Sequence, residues 1–230
     1  MDKLKLKETK KEYIILSDFD GTISVQDVNN AIFDRFGDEK SEVIEEKLIN
    51  NLISDREALK SHYSRLKMTK NKFESFIKNN IYLDPYFKEF YETIKESDID
   101  FAIVSGGFLE YIKILLEKEN INYQDEIFAN QLIFDNEQVK PKFLHDIQTC
   151  EEIFGPCGNC KYRLLSQHPP SKSIIYIGDG LTDRCVAGAT DFLLVKKNSI
   201  LKEYCKKNKI KHKEFASFKE VKEIINGLLK

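Results

Sequence analysis

The segment from Ile14 to Thr22 constrains this sequence most strongly, because a short apolar run ends abruptly in two aspartates, Asp18 and Asp20. Residues i and i+2 of a strand point to the same side, so both carboxylates are expected near one open edge of a sheet. Two acids there can bind a hard cation such as Mg²⁺, or one can attack an electrophile while the other handles protons. The alternative is a strand that ends in an Asx-type turn, and partners elsewhere in the chain decide between the two.

Three further apolar runs have the length and residue content of strands and alternate with helical stretches. This alternation is typical of a parallel sheet covered by helices, and it predicts an α/β, Rossmann-like, doubly wound fold. Ligands bind beyond the carboxyl ends of the strands in such a sheet. The four predicted strands span residues 13–18, 100–105, 173–178 and 192–196.

The long interval between the first two predicted strands has no comparable strand and is expected to form several helices. Ser54 and Glu57 have the spacing of a capping box, and a proline follows another of the helix starts in the first helical position. The predicted helix starts are Asp27, Ser54, Thr69 and Asp84-Pro85. We predict a small helical lid, residues 25–80, inserted after the first strand into a core formed by residues 1–24 and 81–230.

Two other segments have distinct patterns. Residues 126–143 contain two apolar runs separated by a polar Asp-Asn-Glu sequence, which predicts a β-ribbon with a turn. A C-terminal helix is expected to begin at Ser217 and to turn one apolar face inward. Its predicted inward residues are Val221, Ile224, Ile225 and Leu228.

The composition is that of an ordinary globular protein, with 230 residues, 41% hydrophobic residues and a net charge of −2. This charge provides no general field for nucleic acid or a membrane surface. The basic start lacks the apolar stretch of a signal peptide, and no run is long enough to span a membrane. Five cysteines are an odd number, so reduced thiols and a cytoplasmic location are expected.

Four elements, in one order along the chain, resemble the motifs of the haloacid dehalogenase superfamily of phosphotransferases. The first is Asp-Phe-Asp-Gly-Thr at 18–22, and the second is Ser-Gly-Gly-Phe at 105–108. The third is Lys161 at a predicted helix start, and the fourth is Gly-Asp-Gly-Leu-Thr-Asp at 178–183. The sequence looks most like the phosphoserine-phosphatase branch, whose members often carry a small helical lid after the first strand.

This resemblance implies a role for each matching residue. Asp18 would be the nucleophile that forms an aspartyl-phosphate, and Asp20 would be the general acid and base. Mg²⁺ would bind the carboxylates of Asp18 and Asp179 and the backbone carbonyl of Asp20. Asp183 would orient a metal-bound water or Lys161, and Thr22 would hydrogen-bond Asp20. The phosphoryl oxygens would be held by Ser105, Gly106, Gly107 and Lys161.

Within this branch, the sequence Cys-Gly-Asn-Cys-Lys at 157–161 resembles a smaller group of phosphatases. That group includes the methionine-salvage enzyme acting on 2-hydroxy-3-keto-5-methylthiopentenyl 1-phosphate, and phosphoethanolamine/phosphocholine phosphatases. The match extends over about two-thirds of the chain and is poor over the lid, where the substrate is selected.

The lid departs from the pattern of phosphoserine phosphatases, which use a glutamate nine residues after the nucleophile and a lid arginine. Here the first position is Asp27, and His62 takes the place of the arginine with Arg65 nearby. Imidazole is a poor substitute for a bidentate guanidinium on a carboxylate, so phosphoserine is disfavoured as the substrate. The alternative for His62 is a surface position on a lid helix.

A cluster of soft ligands precedes Lys161 in the sequence. Tetrahedral zinc is compatible with the order H-x4-C-x6-C-x2-C, although the spacing of the first two ligands is irregular. A regulatory disulfide and reduced thiols that shape the loop are the alternatives. The residues concerned are His145, Cys150, Cys157 and Cys160.

We therefore expect a Mg²⁺-dependent phosphomonoesterase that acts on a small phosphorylated metabolite as a monomer or homodimer. The acid at Asp20 argues against a dehalogenase, which does not use an acid two residues after the nucleophile. A phosphomutase is the enzymatic alternative, and a phosphate-binding regulatory relative is the alternative without catalysis. Partners of nucleic-acid or membrane type are not expected.

Overall fold

The structure is a computed structural model that describes residues 13–97, 99–145, 155–166 and 172–228. Seven strands form one sheet. They are β1 (Tyr13–Ser17), β2 (Asp100–Phe108), β3 (Glu126–Asp135), β4 (Gln138–Lys142), β5 (Ser173–Gly178), β6 (Phe192–Lys196) and β7 (Lys213–Phe215). Their order across the sheet is β4-β3-β2-β1-β5-β6-β7, and all neighbours are parallel except β3 and β4. The predicted doubly wound α/β fold is therefore confirmed.

Ten α-helices accompany this sheet in the described ranges. The first four follow β1 and are α1 (Val28–Phe36), α2 (Ser41–Ile49), α3 (Asp55–Tyr63) and α4 (Lys70–Asn80). The others are α5 (Phe87–Glu96), α6 (Leu109–Lys118), α7 (Lys161–Ser166), α8 (Arg184–Ala187), α9 (Ile200–Lys207) and α10 (Phe218–Leu228). None of them is long and apolar enough to cross a membrane.

Strand β1 lies at the centre of the sheet and is buried on both faces. Ile15 belongs to one apolar cluster, whereas Ile14 and Leu16 belong to the cluster on the opposite face. This alternation follows from the two-residue repeat of a strand, and each buried aliphatic side chain contributes roughly 1.5–3 kcal/mol. The apolar residues of this strand thus account for its burial on both faces at the centre of the sheet.

The sheet changes winding direction at β1, because β2 pairs on one side of it and β5 on the other. The carboxyl end of β1 is therefore the switch point where doubly wound sheets form a crevice for ligands. Asp18 follows this strand directly, and its backbone amide donates to the carbonyl of Ile177 in β5 at 2.8 Å.

Helices α1 to α4 form an excursion whose two ends lie side by side. Ser24 and Leu83 form an isolated antiparallel bridge, flanked by hydrogen bonds from Val25 N to Tyr82 O and from Asp84 N to Ile23 O. At its far end, the excursion contacts the ribbon, since Met68 N donates to the carbonyl of Glu137 at 2.8 Å. The helical insertion expected after the first strand thus connects to the core at two adjacent chain segments.

Most local expectations are confirmed. Asp27, Ser54 and Thr69 each cap the helix predicted to follow them, and Ser54 and Glu57 form the capping box. The ribbon exists as β3 and β4, and α10 buries Val221 and Ile225 completely.

The helix expected to start at Asp84 and Pro85 was placed two residues too early. Asp84 O accepts from Phe87 N at 3.0 Å, so these residues form a turn, and α5 begins at Phe87. The carboxylate of Asp84 accepts from the amides of Tyr86 and Phe218, and it therefore links the start of α5 to α10. Strand β2 also extends to Phe108, three residues beyond the predicted end.

Candidate active site

Side chains from four separate chain segments meet at the carboxyl edge of the sheet. Asp18 follows β1, Ser105 lies near the end of β2, and Asp179 follows β5. Lys161 is the first residue of α7, as the sequence predicted for a helix start. Asp20 continues the turn after β1 and reaches Ser105 with its carboxylate.

Lys161 is paired with two carboxylates inside the protein. Its Nζ lies 2.7 Å from Oδ1 of Asp18 and 2.6 Å from Oδ1 of Asp183, and its side chain is 1% exposed. Burial alone would lower the pKa of Lys161, but the two carboxylates outweigh it and raise this pKa. Burial and the charge of Asp183 raise the pKa of Asp18, while Lys161 opposes this shift. The lysine thus stabilises the anionic form of the carboxylate beside it.

Asp183 is fully occupied by protein donors. Its Oδ1 accepts from Lys161 and from the hydroxyl of Tyr176 at 2.5 Å. Its Oδ2 accepts from the backbone amides of Asp179 and Gly180 at 3.1 and 2.8 Å. With both oxygens engaged, Asp183 orients Lys161 and the turn that carries Asp179.

Thr22 bonds a different partner from the one predicted. Its Oγ1 donates to Oδ1 of Asp179 at 2.6 Å, whereas the sequence suggested a bond to Asp20. Gly21 has a φ of 75° in the intervening turn, and a Cβ there would lie 2.5 Å from Oδ2 of Asp179. The turn therefore carries the chain from Asp20 over to the end of β5.

Burial, followed by the charge of Asp183, raises the pKa of Asp179 to about 6. The hydrogen bond from Thr22 and the nearby charges of Lys161 and Lys196 act in the opposite direction. The carboxylate is therefore held in an environment that favours its neutral form unless a cation is close.

Asp20 has a hydrogen-bond donor on each oxygen. Its Oδ2 accepts from the hydroxyls of Ser105 at 3.1 Å and Tyr111 at 2.6 Å, and its Oδ1 accepts from Val28 N at 3.2 Å. Burial and the charge of Asp27 raise the pKa of Asp20 to about 7, although these three hydrogen bonds oppose the shift. A carboxyl group near half-protonation at neutral pH can both give and take a proton.

The backbone after Ser105 is tightly fixed. Gly107 N donates to Oγ of Ser105 at 2.9 Å, and the side chain of Asn130 donates to the carbonyl of Gly106 at 2.7 Å. Asn159, two residues before Lys161, donates to the carbonyl of Ser105 at 3.0 Å. The Ser-Gly-Gly segment and the loop before α7 are thereby held against each other.

Three aspartates form a group that could hold a cation. Ligand oxygens of Asp18, Asp179 and Asp183 lie within 4.8 Å of one another. Since Asp183 is saturated, the oxygens available are Oδ2 of Asp18 and Oδ2 of Asp179, which accept no hydrogen bond from the described part of the chain. Such oxygen donors fit Mg²⁺, which keeps several waters and takes one or two carboxylates.

The zinc hypothesis receives no support. Cys150 lies outside the described residues, and the aspartate trio is the one group of potential metal ligands found among those described. Cys160 has a free thiol, and the loop holding Cys157 contacts α3 instead. In that contact Arg56 Nε donates to the carbonyl of Cys157, and Gly158 N donates to a carboxylate oxygen of Asp55.

Each of the three predicted specificity residues hydrogen-bonds a partner within residues 25–80. His62 is 3% exposed, pairs with Glu45 at 2.8 Å and stacks on Phe33, so the surface alternative for it is wrong. Arg65 forms an exposed ion pair with Asp38. Asp27 caps α1, and its charge acts on the pKa of Asp20.

Sequence reasoning missed several residues of the site. Tyr111 and Tyr176 donate to the carboxylates of Asp20 and Asp183, and Asn159 joins the loop of Lys161 to Ser105. Asn159 stands within a motif that the sequence had highlighted. The tyrosines lie on a helix and a strand where an apolar pattern alone predicts ordinary core residues.

The family match and the named relatives show that this chain is a phosphatase, and its fold is that of phosphoserine phosphatases. A family model described as Putative Phosphatase matches residues 13–230, and the chain belongs to this family. A substrate-bound phosphoserine phosphatase complex has the same fold, with a TM-score of 0.70 and 20% identity, over 94% of this chain and 99% of that chain.

Three relatives have comparable length. The chain is 30% identical to a 2-hydroxy-3-keto-5-methylthiopentenyl-1-phosphate phosphatase of Geobacillus kaustophilus, over 92% of this chain and 94% of that protein. It is 28% identical to the polyol phosphate phosphatase PYP1 of Saccharomyces cerevisiae, over 90% of each. Pdp3-interacting factor 1 of Schizosaccharomyces pombe is 30% identical over 92% of this chain and 94% of that protein.

Proposed function

We propose that this protein is a Mg²⁺-dependent phosphomonoesterase that hydrolyses a small phosphorylated metabolite through an aspartyl-phosphate on Asp18. The observation that carries the proposal is the buried contact between Asp18 and Lys161, with Asp20, Ser105 and Asp179 on the same edge of the sheet. A nucleophile, a fixed cation and a separate proton donor are the parts that phosphoryl transfer to a carboxylate needs.

In the first step, a carboxylate oxygen of Asp18 attacks phosphorus, and the bond between phosphorus and the leaving oxygen breaks. The leaving oxygen takes the electron pair and a proton from Asp20, whose pKa of about 7 leaves it partly protonated at neutral pH. Asp20 then accepts a proton from the water that hydrolyses the aspartyl-phosphate, and inorganic phosphate leaves. The same carboxyl group serves both half-reactions.

The phosphoryl oxygens would be bound by donors that line the site, and the Ser105 hydroxyl and the Gly107 amide would exchange their present bonds to Asp20 and Ser105 for bonds to the phosphoryl group. Lys161 supplies a fixed charge, Ser105 a hydroxyl, and the backbone after Ser105 supplies the amides of Gly106 and Gly107. Mg²⁺ would be held by Asp18, Asp179 and the backbone carbonyl of Asp20, and would offset the repulsion between the anionic nucleophile and the phosphoryl group. Asp183 supports this arrangement by holding Lys161.

We further propose that residues 25–80 act as the lid that selects the substrate. The carboxylates of Asp27, Glu45 and Asp55 are close enough to repel one another, and Asp55 is also attracted electrostatically to Lys161. The predicted specificity residues His62 and Arg65 already have acidic partners. Such a surface repels a carboxylate and offers acceptors to hydroxyl or amine groups, so a polyol or aminoalcohol phosphate fits it better than phosphoserine.

The basic test is phosphate release from p-nitrophenyl phosphate with saturating Mg²⁺. We expect turnover in the wild-type protein and a loss of roughly a thousandfold or more in Asp18→Asn. Asp125→Asn is the matched control, because it removes one carboxylate charge that is paired with Lys95 away from the site. Normal turnover in Asp18→Asn would contradict the assigned nucleophile.

A panel of phosphate esters tests the substrate class. It should contain phosphoserine, phosphoethanolamine, glycerol phosphate and 2-hydroxy-3-keto-5-methylthiopentenyl 1-phosphate. We expect phosphoserine to be the poorest of the four in kcat/KM, because it alone carries a carboxylate. Stoichiometric release of inorganic phosphate, without a new phosphorylated product, distinguishes hydrolysis from a mutase reaction.

A further inference from the structure

Tyr111 is the donor in the shortest hydrogen bond to the carboxylate of Asp20. Its hydroxyl lies 2.6 Å from Oδ2, compared with 3.1 Å for Ser105 and 3.2 Å between Val28 N and Oδ1. Tyr111 is 0% exposed and belongs to α6, on the core side of the site. Its ring packs near that of Phe19, with centroids 6.1 Å apart. Core packing therefore fixes the position of the Tyr111 side chain beside Asp20.

Two lid residues determine the direction of this hydrogen bond. Asn29 of α1 donates from Nδ2 to the hydroxyl oxygen of Tyr111 at 3.3 Å. Tyr63 of α3 donates in turn to Oδ1 of Asn29 at 2.8 Å. Because the Tyr111 oxygen accepts from Asn29, its own proton is directed to Asp20, and the chain of donors runs from the lid to the carboxylate.

The backbone leaves room for this chain of donors. A Cβ on Gly107 would lie 1.5 Å from the hydroxyl oxygen of Tyr111 and 2.3 Å from Oδ2 of Asp20. At the neighbouring Gly106, a Cβ would meet nothing within 4 Å. The absence of a side chain at Gly107 is therefore what allows Tyr111 and Asp20 to meet.

We infer that Tyr111 is a positioning residue for Asp20, and that Asn29 and Tyr63 make this positioning depend on the lid being in contact with the core. The inference rests on the proposed function, since the orientation of Asp20 matters only if it protonates a leaving group. When the phosphorus–oxygen bond breaks, the electron pair passes to the leaving oxygen, and the proton of Asp20 must lie in line to neutralise it. A misdirected carboxyl group would leave that oxygen anionic.

The test compares two probes that differ in how much they need this proton. The anion of p-nitrophenol is stable at neutral pH, whereas the anion of phenol is not. The parameter kcat/KM covers the steps up to release of the leaving group, so it isolates the reaction that Asp20 assists as an acid. The ratio of kcat/KM for phenyl phosphate to that for p-nitrophenyl phosphate is measured with saturating Mg²⁺.

Tyr111→Phe removes the hydroxyl and keeps the ring. We expect this ratio to fall about tenfold, because the more basic leaving group loses more when general acid catalysis is impaired. Tyr63→Phe, which acts from the lid side, should lower the ratio in the same direction by about two- to threefold. Tyr91→Phe is the matched control, since it removes another phenol hydroxyl, donated to Asp125 at 2.8 Å, and should leave the ratio unchanged.

An unchanged ratio in Tyr111→Phe overturns the inference, even if both substrates react more slowly, because a purely structural role would affect the two probes equally. If Tyr111→Phe fails to fold, as judged by circular dichroism, Tyr63→Phe decides alone: a lowered ratio supports the inference and an unchanged ratio overturns it. Phosphate release from neither probe by the wild-type protein would instead refute the proposed function.

Discussion

The ammonium of Lys161 lies 2.7 Å from Oδ1 of Asp18 in a contact that is almost completely shielded from water. The lysine starts α7, and the aspartate follows β1, so 143 residues of chain separate two groups that act as one unit. Asp183 holds the lysine from its other side. The geometry makes Lys161 the cation that holds two buried acids together, in addition to its proposed role in binding phosphate.

Replacement of Lys161 by methionine should therefore lower both stability and activity. The change leaves the carboxylates of Asp18 and Asp183 buried without their cation, which costs about 3–5 kcal/mol in the free energy of unfolding at neutral pH. Urea unfolding and p-nitrophenyl phosphate hydrolysis measure the two effects. The destabilisation should be smaller at pH 5, because burial raises the pKa of Asp18 and protonation of Asp18 relieves its repulsion with Asp183.

Lys172→Met provides the matched control for this experiment. Lys172 forms a largely buried ion pair with Asp100, and these residues lie at the amino ends of β5 and β2, opposite the site. The Lys172→Met variant should be less stable than wild type, while the activity of the folded protein stays within about threefold of wild type. Equal losses of activity in the two variants would argue against a specific role for Lys161.

Gly107→Ala is expected to abolish most of the activity, whereas Gly106→Ala should lose far less. The new methyl group at 107 would overlap Tyr111 and Asp20, but at 106 it would point into open space. We predict a loss of at least about a hundredfold in kcat/KM for the first variant, because a small displacement of a catalytic group has effects of this size. Steady-state kinetics of both variants, side by side, check the prediction, and equal losses would contradict it.

Asp179→Asn should stabilise the metal-free protein at neutral pH while removing activity. Burial and Asp183 raise the pKa of Asp179 to about 6, from an ordinary value of 3.8. Between these values, the folded protein keeps a proton on Asp179 that the unfolded chain releases, so the contribution of Asp179 to stability falls as the pH rises and reaches its lowest level above about pH 6. Asparagine keeps an oxygen for the bond from Thr22 and carries no charge.

The expected gain is roughly 1–3 kcal/mol in the free energy of unfolding at pH 7.5, and close to nothing at pH 4. Denaturant titrations with a chelator present measure it, and the wild-type protein alone should gain stability when Mg²⁺ is added. If Asp179→Asn were the less stable protein at pH 7.5, the opposing charges of Lys161 and Lys196 would be the stronger influence on this carboxylate.

Arg65→Ala tests whether this arginine binds the substrate. Its ion pair with Asp38 is exposed, and surface pairs of this kind contribute little to stability because water and salt screen the two charges. We expect KM values for the phosphate esters to change less than about threefold, with or without a carboxylate in the substrate. A selective tenfold rise in KM for phosphoserine would show that Arg65 leaves Asp38 to bind the carboxylate.

The convergence of the candidate site residues could be predicted from sequence because these residues follow strand ends and helix starts. A short apolar run that ends in Asp18 specifies a buried strand and the position of its carboxyl end. Parallel pairing then brings Asp18 and Asp179 to the same edge of the sheet. Capping residues such as Ser54 predicted the starts of their helices for a similarly local reason, since an N-cap hydrogen bond involves residues three positions apart.

Only the tertiary structure decided which side chains complete the site. The partners of Tyr111, Thr22 and His62 lie 91, 157 and 17 residues away, and no spacing rule links such pairs. Their hydrogen bonds depend on how the lid and the sheet edges pack together, which is a property of the whole fold. The sequence by itself determined the acids and the edge where they meet; the packing determined which groups hold each acid and in which protonation state.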